Sequence, residues 1–207
     1  MDAEKQVVER AAYLAAGLAV GNLKAIQQSV EAALRALEGG PPPPGHRWIR
    51  SDDIVAVTQR LRALQESEGS LEDVFLAGYA PRGDLSAGLA HLTARIREGI
   101  PATRGALSLA VSPESGSACK RLNLFLRWMV RREGVDRGLW SRVQPAHLIQ
   151  PLDVHVLAFV RRYGLTARAT VDWRFAEEVT GFFRRRCPED PLRWDFAVSH
   201  YGMMHGW

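Results

Sequence analysis

Apolar residues recur every three or four positions along most of the chain, and this spacing constrains the fold more than any other feature. In residues 3–20 the apolar positions are Val7, Val8, Ala11, Leu14, Ala15 and Leu18. Such spacing places the apolar side chains on one face of an α-helix. No useful stretch alternates apolar and polar residues, as a half-buried strand would. The sequence therefore predicts an all-α protein.

Glycine, proline and capping residues divide the pattern into nine predicted helices. Gly21-Asn22 breaks the first pattern, and Ser51-Asp52-Asp53, Ser70 with Asp73, and Asp84 are expected to begin later helices. The helices are predicted at about residues 3–20, 23–38, 51–67, 70–77, 84–99, 117–132, 153–163, 172–186 and 189–205.

A stretch rich in proline, glycine and serine, residues 99–117, is the best candidate for a boundary between lobes. It predicts an N-terminal helical lobe over residues 1–116 and a second helical lobe over residues 117–207. A cleft shared by two helical lobes is a natural ligand site. We expect the functional residues to face such a cleft.

The charges are unevenly distributed. The net charge is +4, but residues 1–116 hold 12 basic and 14 acidic residues, whereas residues 117–207 hold 15 and 9. A basic half is typical of proteins that contact a phosphate backbone. Arginines scattered over a solvated surface give the same count, so the charge alone leaves both interpretations open.

Nothing in the sequence indicates a membrane span or an export signal. No run of about 18 uncharged apolar residues occurs. The start, Met1-Asp2-Ala3-Glu4-Lys5, lacks the basic and apolar regions of a secretory signal. Cys119 and Cys187 give no disulfide framework, and we expect both to be free thiols. These features predict a cytoplasmic protein.

Lys120 stands out because lysine is scarce. The chain has 24 arginines and three lysines, and Lys120 is the one lysine among the 91 residues after Gly116. Arginine suits phosphate contacts, whereas a primary amine is required where nitrogen must become a nucleophile. The apolar stripe that follows it consists of Leu122, Phe125, Leu126 and Met129. Taken alone, Lys120 is equally well explained as an ordinary surface lysine.

Asp153 lies at the start of another predicted helix, in the segment Pro151-Leu152-Asp153-Val154-His155. An aspartate at this position caps the helix and interacts favourably with its dipole. A carboxylate held at a helix start can also stabilise positive charge that develops on a substrate. The two roles are compatible.

These segments resemble DNA glycosylases of the helix-hairpin-helix type. Pro151-Leu152-Asp153-Val154-His155 resembles the Val-Asp-(Thr/Val)-His segment of endonuclease III and eukaryotic 8-oxoguanine DNA glycosylase, in which the aspartate is catalytic. Gly116-Ser117-Ala118-Cys119-Lys120 is similar to their hairpin Gly-Val-Gly-Arg-Lys, whose lysine forms the Schiff base in the bifunctional members. Residues 190–202 resemble the last helix of the same lobe.

A closer resemblance covers most of the chain. Residues 116–131, Gly-Ser-Ala-Cys-Lys-Arg-Leu-Asn-Leu-Phe-Leu-Arg-Trp-Met-Val-Arg, are similar to the signature of a bacterial family without an assigned activity. That resemblance extends back through residues 69–72 and 46–48. It implies a family rather than a reaction.

Three features depart from the glycosylase pattern. Ala118 replaces the second glycine of the hairpin, and 33 positions separate Lys120 from Asp153. Endonuclease III uses a little under twenty, and the longer interval resembles archaeal 8-oxoguanine glycosylases. The four-cysteine motif that follows this lobe in endonuclease III is missing, so we expect no iron–sulfur cluster. We expect no metal or other cofactor either.

The resemblance implies a two-lobed, monomeric glycosylase that acts on double-stranded DNA with a damaged base. Lys120 and Asp153 would be catalytic, and the base would be an oxidised purine such as 8-oxoguanine. Trp128 and Trp140 would stack on the base. The residues expected to contact DNA are Gly116, Ser117, Arg121, Arg127, Arg131, Arg132 and His155.

Two other functions stay open. A non-catalytic DNA-binding protein would keep the fold without the chemistry, and a helical scaffold would use its basic face to meet an acidic protein. Lys120 together with Asp153 favours the glycosylase, because a protein that only binds DNA has no need for an amine among so many guanidinium groups.

Overall fold

A computed structural model describes residues 3–21, 23–79 and 83–207. Met1, Asp2 and Asn22, on which parts of the predictions depend, lie outside the described residues. In the described ranges the chain forms ten α-helices and two short 3₁₀ helices, without any strand, which confirms the all-α prediction. No helix in these ranges has both the length and the apolar character that a membrane span requires.

The chain forms two compact units, Met1–Ser112 and Pro113–Trp207. The boundary lies inside the stretch rich in proline, glycine and serine at residues 99–117. We call the two parts unit 1 and unit 2. A ligand cleft shared by two lobes stays a prediction.

The described residues of unit 1 form six α-helices around an apolar core. Its helices are α1 (Ala3–Gly17), α2 (Leu23–Ala36), α3 (Ser51–Glu68), α4 (Leu71–Tyr79), α5 (Leu85–Arg97) and α6 (Arg104–Leu109). Leu14, Leu61 and Phe75 are fully buried in this core. Gly88 allows α5 to approach α4 closely, because a Cβ at that position would collide with the ring of Phe75.

Two of the predicted helix starts in unit 1 are confirmed, and one is not. Ser70 and Asp73 cap α4 reciprocally, with Ser70 N donating to Asp73 (2.7 Å) and Asp73 N donating to the Ser70 hydroxyl (3.2 Å). Asp84 caps α5 by accepting from Ser86 N at 2.8 Å. The prediction of an N-cap at residues 51–53 is wrong in detail, since α3 is capped by Arg50 and Asp53 accepts from Arg50 N at 3.0 Å.

Unit 2 contains four α-helices and two 3₁₀ turns, at Pro113–Ser115 and Pro145–His147. The helices are α7 (Lys120–Val130), α8 (Val154–Tyr163), α9 (Trp173–Arg184) and α10 (Asp195–His205). Phe125, Val156, Ala176 and Val179 are fully buried, one or two from each of the first three helices.

Three predicted boundaries differ from the structure for local reasons. Helix α7 begins at Lys120 rather than 117, because Cys119 has a left-handed backbone (φ 47°). Helix α10 begins at Asp195 rather than 189, because the Asp190 side chain accepts from Leu192 N (3.1 Å) and forms a turn there. Helix α6 was missed inside a stretch predicted as a loop, where Thr103 caps it by accepting from Ala106 N at 3.1 Å.

Candidate active site

Asp153 is the N-cap of α8, and its carboxylate has three donors. One oxygen accepts from His155 N (2.8 Å) and Val156 N (2.7 Å), and the other accepts from the Ser199 hydroxyl (2.6 Å). Asp153 is nevertheless only half-buried. The carboxylate is therefore fixed in orientation, on a residue that keeps part of its surface exposed.

The Asp153–Ser199 hydrogen bond joins the start of α8 to the middle of α10. Further along the same two helices, Gly202 leaves space for the Trp207 indole. A Cβ at Gly202 would collide with the Trp207 Nε1 and would lie 3.0 Å from the Cβ of His155. Helices α8 and α10 thus run side by side from Asp153 to Trp207.

Lys120 is the first residue of α7 and follows an irregular turn. Gly116 has a positive φ of 77°, and the Ser117 hydroxyl accepts from Cys119 N at 3.1 Å. Lys120 is half-buried. Within the described part of the chain its amine makes no hydrogen bond or ion pair, so no bond of either kind joins it to Asp153.

Arg127 and Arg131 belong to a buried cluster with three aspartates, Asp136, Asp190 and Asp195. The two arginines are 7% and 5% exposed. Arg127 donates to Asp136 (3.3 Å) and to Asp195, whereas Arg131 donates to Asp136 (2.6 Å) and to Asp190 (2.8 Å). The prediction that these two arginines contact DNA phosphates is therefore corrected, because both guanidinium groups are buried and paired with aspartates inside unit 2.

Asp195 is the most perturbed carboxyl group of this cluster. Its pKa is raised to about 6, chiefly by burial and further by the negative charge of Asp153, against the lowering effect of Arg127. Gln150 also donates a hydrogen bond to Asp195. A buried acid with a raised pKa next to Asp153 is typical of functional sites, although structural ion pairs produce similar shifts.

The two predicted base-stacking tryptophans lie in different environments. Trp140 is 1% exposed and packs edge-to-face on Phe125, with ring centroids 5.3 Å apart. The prediction that Trp140 stacks on a base is therefore corrected, since its faces are covered by the core. Trp128 is half-buried and stays a candidate.

The other predicted contact residues remain reachable from solvent to different degrees. Gly116 and Arg132 are exposed, while Ser117, Arg121 and His155 are half-buried. The Arg132 side chain donates to the carbonyl of Gly138 at 3.3 Å. His155 holds Asp153 through its backbone N–H.

Sequence reasoning missed Ser199 and Asp195 as site residues. Both lie in the segment that resembles the last glycosylase helix, but neither forms a local motif with Asp153, which is more than 40 positions away. Among the described residues, no group of His, Cys, Asp and Glu side chains is placed to hold a metal ion.

The geometry defines a class of protein: an all-helical chain whose second unit presents an oriented aspartate and a lysine at two helix starts. The family model described as a protein of unknown function, DUF2400, matches residues 2–204, and the chain belongs to this family. No curated protein and no solved structure matches the chain.

Proposed function

We propose that the chain is a DNA base-excision glycosylase of the helix-hairpin-helix type with lyase activity. The observation that carries the proposal is the Asp153 carboxylate, which three donors orient while the residue stays half-buried. The Ser199 hydroxyl is a donor beyond the two backbone amides that capping requires, and it orients the second carboxylate oxygen. The substrate we propose is an oxidised purine such as 8-oxoguanine in double-stranded DNA, by resemblance to the archaeal glycosylases.

In this reaction the damaged nucleotide leaves the base stack, because its glycosidic bond is out of reach inside a duplex. The C1′–N bond then breaks and the base leaves with the bonding electron pair. Positive charge develops on the sugar, and the fixed Asp153 carboxylate stabilises it. The hydrogen bond from Ser199 keeps the second carboxylate oxygen in place.

Lys120 supplies the nucleophile. Its uncharged amine attacks C1′, the sugar ring opens as O4′ takes up a proton, and a Schiff base forms between the Lys120 nitrogen and C1′. Loss of a C2′ proton then expels the 3′ phosphate and nicks the strand. The Lys120 amine is suited to this role because no carboxylate in the described residues pairs with it.

One alternative has a specific observation in its favour. Asp153 caps α8 and links it to α10, so its contacts also account for a purely structural residue. On that basis the chain would be a DNA-binding protein without chemistry. The two functions differ in whether an intermediate forms on Lys120.

Borohydride trapping on duplexes with different base lesions tests the proposal. The wild-type chain should give a covalent protein–DNA adduct with at least one oxidised purine, and Lys120→Gln should give none. Lys24→Gln is the matched control, because it removes another amine, on α2 of unit 1, and should leave trapping unchanged. If no lesion yields base release or an adduct while DNA still binds, the DNA-binding alternative replaces the glycosylase.

Asp153→Asn separates chemistry from capping. Asparagine is as good an N-cap as aspartate, so α8 should be retained while the charge is lost. We expect base release to fall by about 10²–10³-fold, the scale of removing one preorganised electrostatic group. Unchanged base release in a folded Asp153→Asn variant would restrict Asp153 to its structural role.

A further inference from the structure

A pocket of about 450 Å³ lies where α8 and α10 end, away from Asp153. It is lined by Arg162, Tyr163, Tyr201, His205, Gly206 and Trp207. Its volume is within the range of small-ligand sites, roughly 300–1,000 Å³. Nothing in the proposed reaction uses these residues.

The aromatic lining is unusually exposed. Tyr163 is 57% exposed and Tyr201 is 52% exposed, although large aromatic side chains are more often buried. Trp207 contacts both, with ring centroids 6.2 Å from Tyr163 and 4.9 Å from Tyr201. The rings hold one another in place and leave free tyrosine surface toward solvent, which is suited to stacking a planar ligand.

The lining is also basic. Arg162 is exposed and, within the described residues, has no carboxylate partner; its neighbour Arg161 has the same character. His205 packs on Tyr201 with ring centroids 4.7 Å apart. Stacking surfaces beside unpaired cationic groups are the combination that binds a nucleobase together with its phosphate.

The position of the pocket is within reach of a DNA strand that is bound at Asp153. Helix α8 has ten residues, so about 15 Å separates Asp153 at its start from Tyr163 at its end. A DNA strand covers that distance in about four nucleotides at 3.4 Å each.

We propose that this pocket binds an unpaired nucleotide of a DNA strand, with the base on Tyr201 and the phosphate at Arg162. The inference rests on the proposed function in taking DNA as the polymer and Asp153 as the reacting site. It adds a single-strand contact about four nucleotides from the reacting sugar, and no catalytic step depends on it.

Binding of the full chain to a fluorescein-labelled oligothymidylate of twelve nucleotides tests the pocket without any lesion. Tyr201→Leu should raise the dissociation constant about tenfold, the loss of one stacked base. Arg162→Gln should weaken binding. It should also make log K fall less steeply with log salt concentration, by about the amount that one phosphate contact contributes. Tyr201→Phe should bind like the wild type, because it keeps the ring.

The matched controls are Trp48→Leu, an exposed aromatic in unit 1, and Arg174→Gln, an exposed arginine on α9. Neither should change binding. Wild-type affinity in a folded Tyr201→Leu variant would overturn the proposal. A loss of affinity in Arg162→Gln but not in Tyr201→Leu would also overturn it, because binding would then depend on charge and not on stacking. Displacement of the oligonucleotide by an equal concentration of thymidine monophosphate would overturn the strand assignment.

The outcome is independent of the trapping experiment. If no lesion gives an adduct but Tyr201→Leu weakens oligothymidylate binding, the pocket stands and the glycosylase does not. If adducts form normally and Tyr201→Leu binds oligothymidylate like the wild type, the glycosylase stands and the pocket does not.

Discussion

Units 1 and 2 both bury carboxylates, and different groups donate to them. In unit 1, Glu9 is fully buried and accepts from Gln65 Nε2 (2.8 Å), Leu71 N (2.9 Å) and Glu72 N (3.3 Å). These three donors are neutral groups, two of them backbone amides at the start of α4. A cation also contributes in unit 1, where Lys5 pairs with the buried Glu72 carboxylate at 2.6 Å. In unit 2, the buried carboxylates of Asp136 and Asp195 face guanidinium groups. Backbone amides at a helix start therefore orient Glu9, whereas guanidinium groups orient Asp136 and Asp195.

The buried charges of unit 2 cancel one another. The cluster buries two arginines and two aspartates, Asp136 and Asp195, whereas Asp190 is half-buried. The rest of residues 117–207 thus keeps 13 basic residues against 7 acidic ones, the same excess of six as all these residues together. Burying Arg127 and Arg131 removes two predicted DNA contacts without changing the net charge of the rest of unit 2.

The largest effect is expected from breaking the charge cluster. Arg127→Met leaves the buried Asp195 carboxylate without its guanidinium partner, and removing one partner of a buried pair costs about 3–5 kcal/mol. We expect the free energy of unfolding to fall by that amount at pH 7, measured by urea denaturation. The loss should appear in hydrogen exchange of unit 2 and spare unit 1.

The double variant Arg127→Met/Asp195→Asn sharpens this prediction. Removing the charge of Asp195 as well should recover part of the lost stability, because no carboxylate there is left unpaired. If the double variant is as unstable as the sum of the single ones, Arg127 stabilises unit 2 by packing, and the contrast with Glu9 fails.

The second effect is a pH dependence of the free energy of unfolding. It amounts to about 3 kcal/mol in total and is spread over a pH interval. The pKa of Asp195 rises from an ordinary value of 3.8 to about 6, chiefly through burial. Since the folded state holds this proton more tightly than the unfolded state, the stability it contributes is complete below pH 3.8 and is lost as pH rises through 6. Between pH 4 and 7 the wild type should lose about 2 kcal/mol of this total relative to Asp195→Asn.

Urea denaturation of both proteins at several pH values measures this difference. Carboxyl groups whose pKa is lowered, such as Asp172 beside Arg168, act in the opposite direction, but they are the same in both proteins and cancel. A constant difference between wild type and Asp195→Asn from pH 4 to 7 would contradict the raised pKa.

The helices could be predicted because each depends on nearby residues. Apolar spacing located nine of the ten α-helices found in the described part of the chain, and Ser70 with Asp73 shows that a cap can be recognised from residues three positions apart. Helix α6 was missed because it is six residues long and its one clear signal, Thr103, stands among glycine and proline. The late start of α7 depends on a left-handed Cys119, a conformation that residue type does not indicate.

The candidate site was predictable only in part for the same reason. Asp153 and Lys120 were found because each starts a helix within a short motif. Ser199 reaches Asp153 across 46 positions, and the partners of Arg131 include Asp190, 59 positions away. No local pattern tells an arginine that faces solvent from one that faces a distant carboxylate, so Arg127 and Arg131 were assigned to DNA.

The smallest loss of stability is expected from removing a hydrogen-bond donor to a carboxylate. The comparison is between the buried Glu9 and the half-buried Asp153. Gln65→Met removes a donor that Glu9 shares with the Gln6 carbonyl, together with an acceptor of Arg10, where water cannot replace them, and should cost at least about 2 kcal/mol. Ser199→Ala removes a donor to Asp153, whose oxygen can bind water instead, and should cost less than about 1 kcal/mol. Urea denaturation of the two variants at pH 7 gives both values. Equal losses would mean that water does not reach the Asp153 carboxylate, and a substrate would be excluded from it for the same reason.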